Sequence, residues 1–320
     1  MSRLTVSIVN YRTAALTIEC IASIKAHPPV GGEVDIVVVD NASGDGSAAR
    51  IAAAHPDVRL IQSDANLGFA GGNNLVLRDC RSDFVLLLNS DACVEAGTLD
   101  TLLAALRDNP RVGAVSARIV NAGDGLDQDY PCRFPSLPEM VRRALRGAQF
   151  PAAGRTAPVP LERLHGACMM LRGELLATVG VLDDGFFMYD EDVDWCVRAA
   201  RQGWALWLIP SARVVHHGGK SSQRAPSGQR KGLELSATAL RMRYELRRSR
   251  YRLYRKHRTW WELCMLKAMT DAAMLLACIR PFMLWLAVPG QRAAAGALLR
   301  VNLRIVAMNP FSDQDAARVA

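Results

Sequence analysis

The sequence predicts an α/β domain on a mostly parallel sheet with helices on both faces, followed by a helical, basic appendage. Three observations point there. Short apolar runs rich in branched residues alternate with amphipathic stretches over the first two-thirds of the chain. Several of these runs end in polar or acidic residues, where ligands of open α/β sheets bind. From about residue 234 the strand signals stop and the pattern becomes helical.

In order, residues 5–9, 35–39, 59–61 and 84–88 read as strands, and Ala14–Ala26 and 46–54 as helices between them. Residues 131–160, rich in Pro, Gly and Ala with one basic helical piece near 139–146, read as a mobile excursion or lid. Strand character returns at 165–171 and, as a strand pair, at 204–215. The expected partition is a catalytic domain over 1–233 and a tail over 234–320.

With 320 residues, half of them hydrophobic, the chain is long enough for a sizeable core and too apolar for disorder. Its eight cysteines form no C-x-x-C pair, which argues against a zinc knuckle or a disulfide framework and for reduced thiols in the cytoplasm. The opening residues pass directly into the first strand, leaving no room for a cleavable export signal. The formal charge of +8 is concentrated: residues 241–258 hold nine Lys or Arg against Glu245 alone. A basic block so local suits an anionic surface.

Five clusters carry chemistry. Val39-Asp40-Asn41-Ala42-Ser43 ends a strand in a carboxylate able to accept from a nucleobase or ribose, although the same residues suit a turn and helix cap. Asn66-Leu67-Gly68-Phe69, running on to Asn73, allows close backbone approach to a ligand but lacks a P-loop lysine. Asn89-Ser90-Asp91 follows the buried run 84–88; a hard divalent cation would take an oxygen ligand there, and a cap on the next helix is the other use of Asp91. Asp190-Glu191-Asp192-Val193-Asp194 crowds four acids at a helix start, which raises the proton affinity of at least one and suits a general base. His216-His217 closes a strand and offers a metal ligand, while isolated histidines are more often structural.

Taken in order with Ser7-Ile8-Val9-Asn10-Tyr11, these pieces resemble family 2 glycosyltransferases of GT-A fold, especially the bacterial rhamnosyltransferase branch, over about residues 6–222. The resemblance implies that Asn10, Tyr11, Asp40, Asn41, Ser43, Asn66, Gly68, Phe69, Asn73, Asn89, Ser90 and Asp91 line a nucleotide-sugar site. It makes Asp91 the surviving ligand of a D-x-D signature whose first position is here Asn89, with His216, or His217 if the register slips by one, completing a Mg²⁺ or Mn²⁺ site. Asp192 becomes the catalytic base and Glu191 the residue that orients the acceptor. The implied reaction is inverting transfer from a nucleotide-diphosphate donor, dTDP-L-rhamnose first, UDP-galactofuranose or UDP-glucose next, to a glycan or polyprenyl-diphosphate-linked acceptor in cell-surface polysaccharide synthesis.

The tail interleaves its charges with Tyr244, Tyr251, Tyr254, Trp260 and Trp261, then becomes apolar over 263–288, interrupted by Lys267, Asp271, Arg280 and Pro281. These interruptions argue against a spanning helix and for one lying on an anionic membrane, on the inner face of the cytoplasmic membrane. Packing on the catalytic domain or pairing into a homo-oligomer is the other use of such a tail. A non-catalytic nucleic-acid or membrane binder would use the tail but leave the carboxylates idle, so nucleic acid is not expected as a partner.

Overall fold

A computed structural model describes residues 2–218 and 236–312. The chain opens with β1 (Ser2–Asn10), α1 (Ala14–Ala26), β2 (Gly32–Asp40), α2 (Ser47–Ala54), β3 (Arg59–Gln62), α3 (Gly68–Leu77) and β4 (Phe84–Asn89). β5 (Ala92–Val94), α4 (Thr98–Arg107), β6 (Val112–Asn121), α5 (Leu137–Arg146), β7 (Val159–Pro160) and β8 (Cys168–Arg172) follow. Then come α6 (Leu175–Thr178), α7 (Glu191–Arg201), β9 (Ala205–His216) and the helices α8 (Ala237–His257), α9 (Trp260–Ala287) and α10 (Arg292–Val306).

The chain divides into two compact units: one runs to Asp184 and resumes from Glu191 through β9, and the other holds Gly185–Asp190 with α8, α9 and α10. The boundary expected near residue 234 lies outside the described residues. Gly185–Asp190, read from sequence as part of the sheet domain, groups with the helices.

The first unit is a sheet in the order β3-β2-β1-β4-β8-β6-β9-β5, with β7 added on β9. β1 to β4 run parallel, whereas β8 is antiparallel to both β4 and β6. Alternation along each strand feeds two cores. Leu4, Val6 and Ile8 pack with Ile21, Ile24, Leu102 and Leu103 on one face. On the other, Val85, Leu87, Met169 and Leu171 pack with Leu77, Leu175 and Trp195. β1 pairs with β2 on one side and β4 on the other, so connections leave their carboxyl ends in opposite directions and open a crevice there.

The strand pair expected over 204–215 is a single strand, β9. Its register against β6 slips between Ile209 and Arg213. Pro210 has no N–H to give the ladder, so the pairing breaks locally while the chain continues. Residues 131–160 carry α5, started by Ser136, whose Oγ accepts from the Glu139 N–H, and ended at Gly147 with φ 78°. This excursion is tied back where Tyr130, Ala152 and Val159 pack on Ile119 and Leu208.

In the second unit, α8 is capped by Ser236 and α9 by a reciprocal Thr259–Glu262 capping box. Tyr244, Tyr251 and Tyr254 are 6%, 1% and 0% exposed. These tyrosines, read from sequence as interfacial anchors, are core residues instead, because α8 has neighbours on several sides within its unit. Ser249 Oγ donates to the Met188 carbonyl at 2.8 Å, Arg250 grips Asp190 with two nitrogens at 2.6 and 3.0 Å, and Arg243 donates to Asn302 at 2.8 Å.

Candidate active site

The carboxyl ends of β1 and β2 are held by one polar network. Asn10 Nδ2 donates to Asp40 Oδ1 at 2.7 Å and Ser43 Oγ to the same oxygen at 2.6 Å. Arg12 bonds Ser43 through its backbone N–H, at 3.0 Å, and through Nε, at 2.9 Å. Arg12 and Ala42, each just beyond a strand, both have φ 57°, a conformation that non-glycine residues hold only when their surroundings over-determine it. Asp40 thus organises its turn and still presents Oδ2, which takes only a 3.3 Å bond from the Ser43 N–H.

Several residues predicted to line a nucleotide-sugar site are engaged in hydrogen bonds within the protein. Asn10 is fully enclosed; its Oδ1 accepts from the Thr13 and Thr17 hydroxyls. Asn73 is spent on Ser7 and the Phe69 carbonyl. Asn41 ties Asn66, the Leu67 N–H and the Gly68 carbonyl to the end of β2. Gly68 begins α3 with φ 71°, where a Cβ would be strained. Ser90 Oγ lies 3.1 Å from Thr13 Oγ1, bridging the ends of β1 and β4. Tyr11 lies beside Arg12, whose guanidinium is 5.2 Å from the ring centroid.

Asp91 lies in the turn between β4 and β5 and caps no helix, since α4 begins after Gly97. β5 pairs antiparallel with β9, and this brings His216 to it. His216 Nε2 lies 3.1 Å from Asp91 Oδ1 and 3.3 Å from Asn89 Nδ2. Gln128 donates its Nε2 to the His216 carbonyl at 2.9 Å, so its Oε1, 2.9 Å from Nδ1, must accept the imidazole proton. Nε2 of that tautomer turns a lone pair toward a carboxylate oxygen. Asp91 Oδ2 is buried without a partner. Two acceptors facing each other beside an orphaned carboxylate oxygen fit a divalent cation, with remaining positions left for phosphate and water. His217 instead donates its backbone N–H to the Asp91 carbonyl at 2.9 Å.

Three of the four acids around α7 turn to separate partners. Asp190 faces Arg250 within the helical unit, and Asp194 pairs with Arg198 at 2.9 Å. Asp192 accepts from the Gly166 N–H at 2.9 Å and lies 3.6 Å from Arg163. Asp190, Asp192 and Asp194 each have their own cationic or N–H partner: Asp190 precedes α7 with φ 65°, and the helical spacing of α7 turns Asp192 and Asp194 in different directions. Glu191 is buried at the first position of α7.

Residues 163–167 link the two halves of the site. The Asn89 N–H donates to the Ala167 carbonyl at 3.0 Å, Gly166 holds Asp192, and the His165 ring centroid is 6.5 Å from that of His216. Burial, opposed by the nearby Asp192, pushes the His165 pKa down to about 4, so its imidazole is neutral at pH 7. The Tyr130 hydroxyl accepts the His165 N–H, and burial raises its own pKa. Sequence reasoning missed Gln128, Tyr130, Arg163 and His165 as site residues. His165-Gly166 just ahead of a buried strand was a usable signal; Gln128 carried none.

A cavity of about 990 Å³ lies at the opposite end of the sheet, among Ser2, Ser82, Arg107 and Arg172. It contains none of Asp40, Asp91, Asp192 or His216, and the strand-end crevice is the better candidate on chemical grounds.

The sequence profile of Glycosyl transferase family 2 matches residues 5–198. An N-acetylglucosaminyl-diphospho-decaprenol L-rhamnosyltransferase of Mycobacterium tuberculosis is 30% identical over 215 residues, covering 61% of this chain and 70% of that protein. The low-salt glycan biosynthesis hexosyltransferase Agl10 of Haloferax volcanii is 29% identical, covering 67% of each. Among solved structures, the mannosyltransferase PcManGT of Pyrobaculum calidifontis, in complex with GDP-Man and Mn²⁺, superposes with a TM-score of 0.53 at 21% identity, covering 94% of this chain and 87% of that one. With the sheet order and strand-end site described above, these matches show that the chain belongs to glycosyltransferase family 2 and is a glycosyltransferase of GT-A fold.

Proposed function

We propose that the protein transfers L-rhamnose from dTDP-L-rhamnose, with inversion, to a hydroxyl of a polyprenyl-diphosphate-linked glycan in cell-surface polysaccharide synthesis. The observation that carries this reading is the joining of the Asp91–His216 pair to Asp192 through residues 163–167. The rhamnosyltransferase from M. tuberculosis supports the donor sugar and the lipid-linked acceptor.

Asp40 takes the base or ribose of the nucleotide, and the Asn66–Gly68 turn covers it. Asp91 and His216 would hold Mg²⁺ or Mn²⁺, which when bound neutralises charge on the diphosphate leaving group. Asp192 accepts the proton of the acceptor hydroxyl as it attacks the anomeric carbon from the face opposite the leaving group. The Gly166 N–H fixes the orientation of that carboxylate, and Glu191 orients the acceptor. Work on a lipid-linked acceptor places the enzyme on the inner face of the cytoplasmic membrane; among the described residues no helix is long and apolar enough to cross it.

The test is product analysis after incubation with dTDP-L-rhamnose, UDP-galactofuranose or UDP-glucose and N-acetylglucosaminyl-diphospho-polyprenol. Rhamnosyl product with inverted anomeric configuration is expected. Transfer from a uridine donor alone replaces the proposed sugar, and no transfer from any donor overturns the acceptor.

A further inference from the structure

α9 is apolar on its outward side as well as on its inner one, which a helix facing water is not. Its inner stripe holds Leu263, Leu266, Met274 and Pro281 together with its charged residues Glu262, Lys267 and Asp271. Lys267 pairs there with Asp271 and donates to the Val306 carbonyl. Its outward stripe, recurring every three or four residues, includes Trp261, Met265, Met269, Leu276, Ile279 and Met283. Arg280 is the one exposed charged residue of α9. A contiguous apolar face along 28 residues, about 42 Å of helix, is unusual on a soluble surface.

The flanking charges choose the occupant. Arg280, Arg292, Arg300 and Arg304 are exposed, whereas neither acid within residues 260–312 is. Trp260 and Trp261 at one end and Trp285 at the other supply side chains that favour the boundary between headgroups and acyl chains. A second copy applied through a two-fold interface would oppose this arginine-rich surface to itself, whereas anionic headgroups complement it.

We infer that the outward face of α9 is the membrane-inserting surface, lying in the plane of an anionic lipid leaflet, and that the basic helix α8 is its support rather than the contact. This deepens the proposal of a lipid-linked acceptor and rests on it. The experiment is sedimentation of the full chain with vesicles of phosphatidylglycerol and phosphatidylcholine, 1:1, comparing wild type, Ile279→Glu/Met283→Glu and Lys256→Gln. At least a tenfold loss of vesicle partitioning is expected in the α9 variant and less than a twofold change in the α8 variant. Doxyl-lipid quenching of wild-type tryptophan fluorescence, reduced when Trp260, Trp261 and Trp285 become Phe, reads the same contact without the glutamates. Unchanged partitioning in the α9 variant, absent quenching, or a wild-type dimer in light scattering that the α9 variant dissolves would each overturn the inference. A dTDP-dependent melting shift, measured in parallel, tests the donor site separately: its absence beside intact α9-dependent partitioning sinks the transfer proposal and leaves the surface.

Discussion

His216 Nε2 stands 3.1 Å from Asp91 Oδ1, with the imidazole proton committed to Gln128 on the opposite side of the ring. A strand-end acid and a histidine 125 residues away thus form one acceptor pair, created by the β5–β9 pairing.

Asp91→Ala and His216→Ala should abolish the divalent-cation dependence of dTDP binding, read as the difference in melting shift with and without Mn²⁺. Gln128→Ala leaves the ligand atoms but frees the tautomer, and should weaken apparent metal affinity about 10- to 100-fold, as loss of an outer-shell partner typically does. Equal loss in all three would mean that Gln128 does more than set the proton.

Asp192→Asn keeps an oxygen for the Gly166 N–H but cannot take a proton. Turnover should fall by about 10² to 10⁴ while the donor dissociation constant changes little, because a base acts mainly in the transition state. Steady-state kinetics paired with donor titration check it; a drop confined to binding would assign Asp192 to donor positioning.

His165 gives a pH dependence of stability. Its folded pKa of about 4 lies below the usual histidine value near 6.5, so between these pH values the unfolded chain holds a proton that the folded one refuses. Stability therefore falls as pH drops from about 6.5 to 4, by on the order of 2 kcal/mol from this residue. Urea titrations at pH 7 and 4.5 should show a smaller loss in His165→Asn than in wild type.

Gly173 donates its N–H to the Asp83 carbonyl at 2.7 Å, and a Cβ there would overlap the Ser82 carbonyl oxygen. Backbone cannot yield as a side-chain tip can. Gly173→Ala should cost about 2 to 4 kcal/mol in urea unfolding, with donor specificity unaltered, since the site lies at the far end of the sheet.

The sequence by itself determined the sheet-and-helix alternation, the strand ends that carry Asp40 and Asp91, and the family. Those features are local: a buried strand has to be apolar, and its last residue reaches a crevice whatever lies elsewhere in the chain. Tertiary structure decided which groups each side chain meets. Asn10 and Asn73 carry polar side chains that sequence assigns to a ligand, yet burial forces them to satisfy neighbouring backbone and hydroxyls. Asp190, Asp192 and Asp194 alternate within five positions of the sequence, yet the left-handed turn at Asp190 and the helix that follows direct them to Arg250, Gly166 and Arg198. Gln128, Arg163 and His165 join the site only because β6, β8 and β9 meet in one sheet. Which apolar side of α9 stays open follows from which of its sides α8 and α10 cover, and periodicity in a single helix does not say which side faces a neighbour.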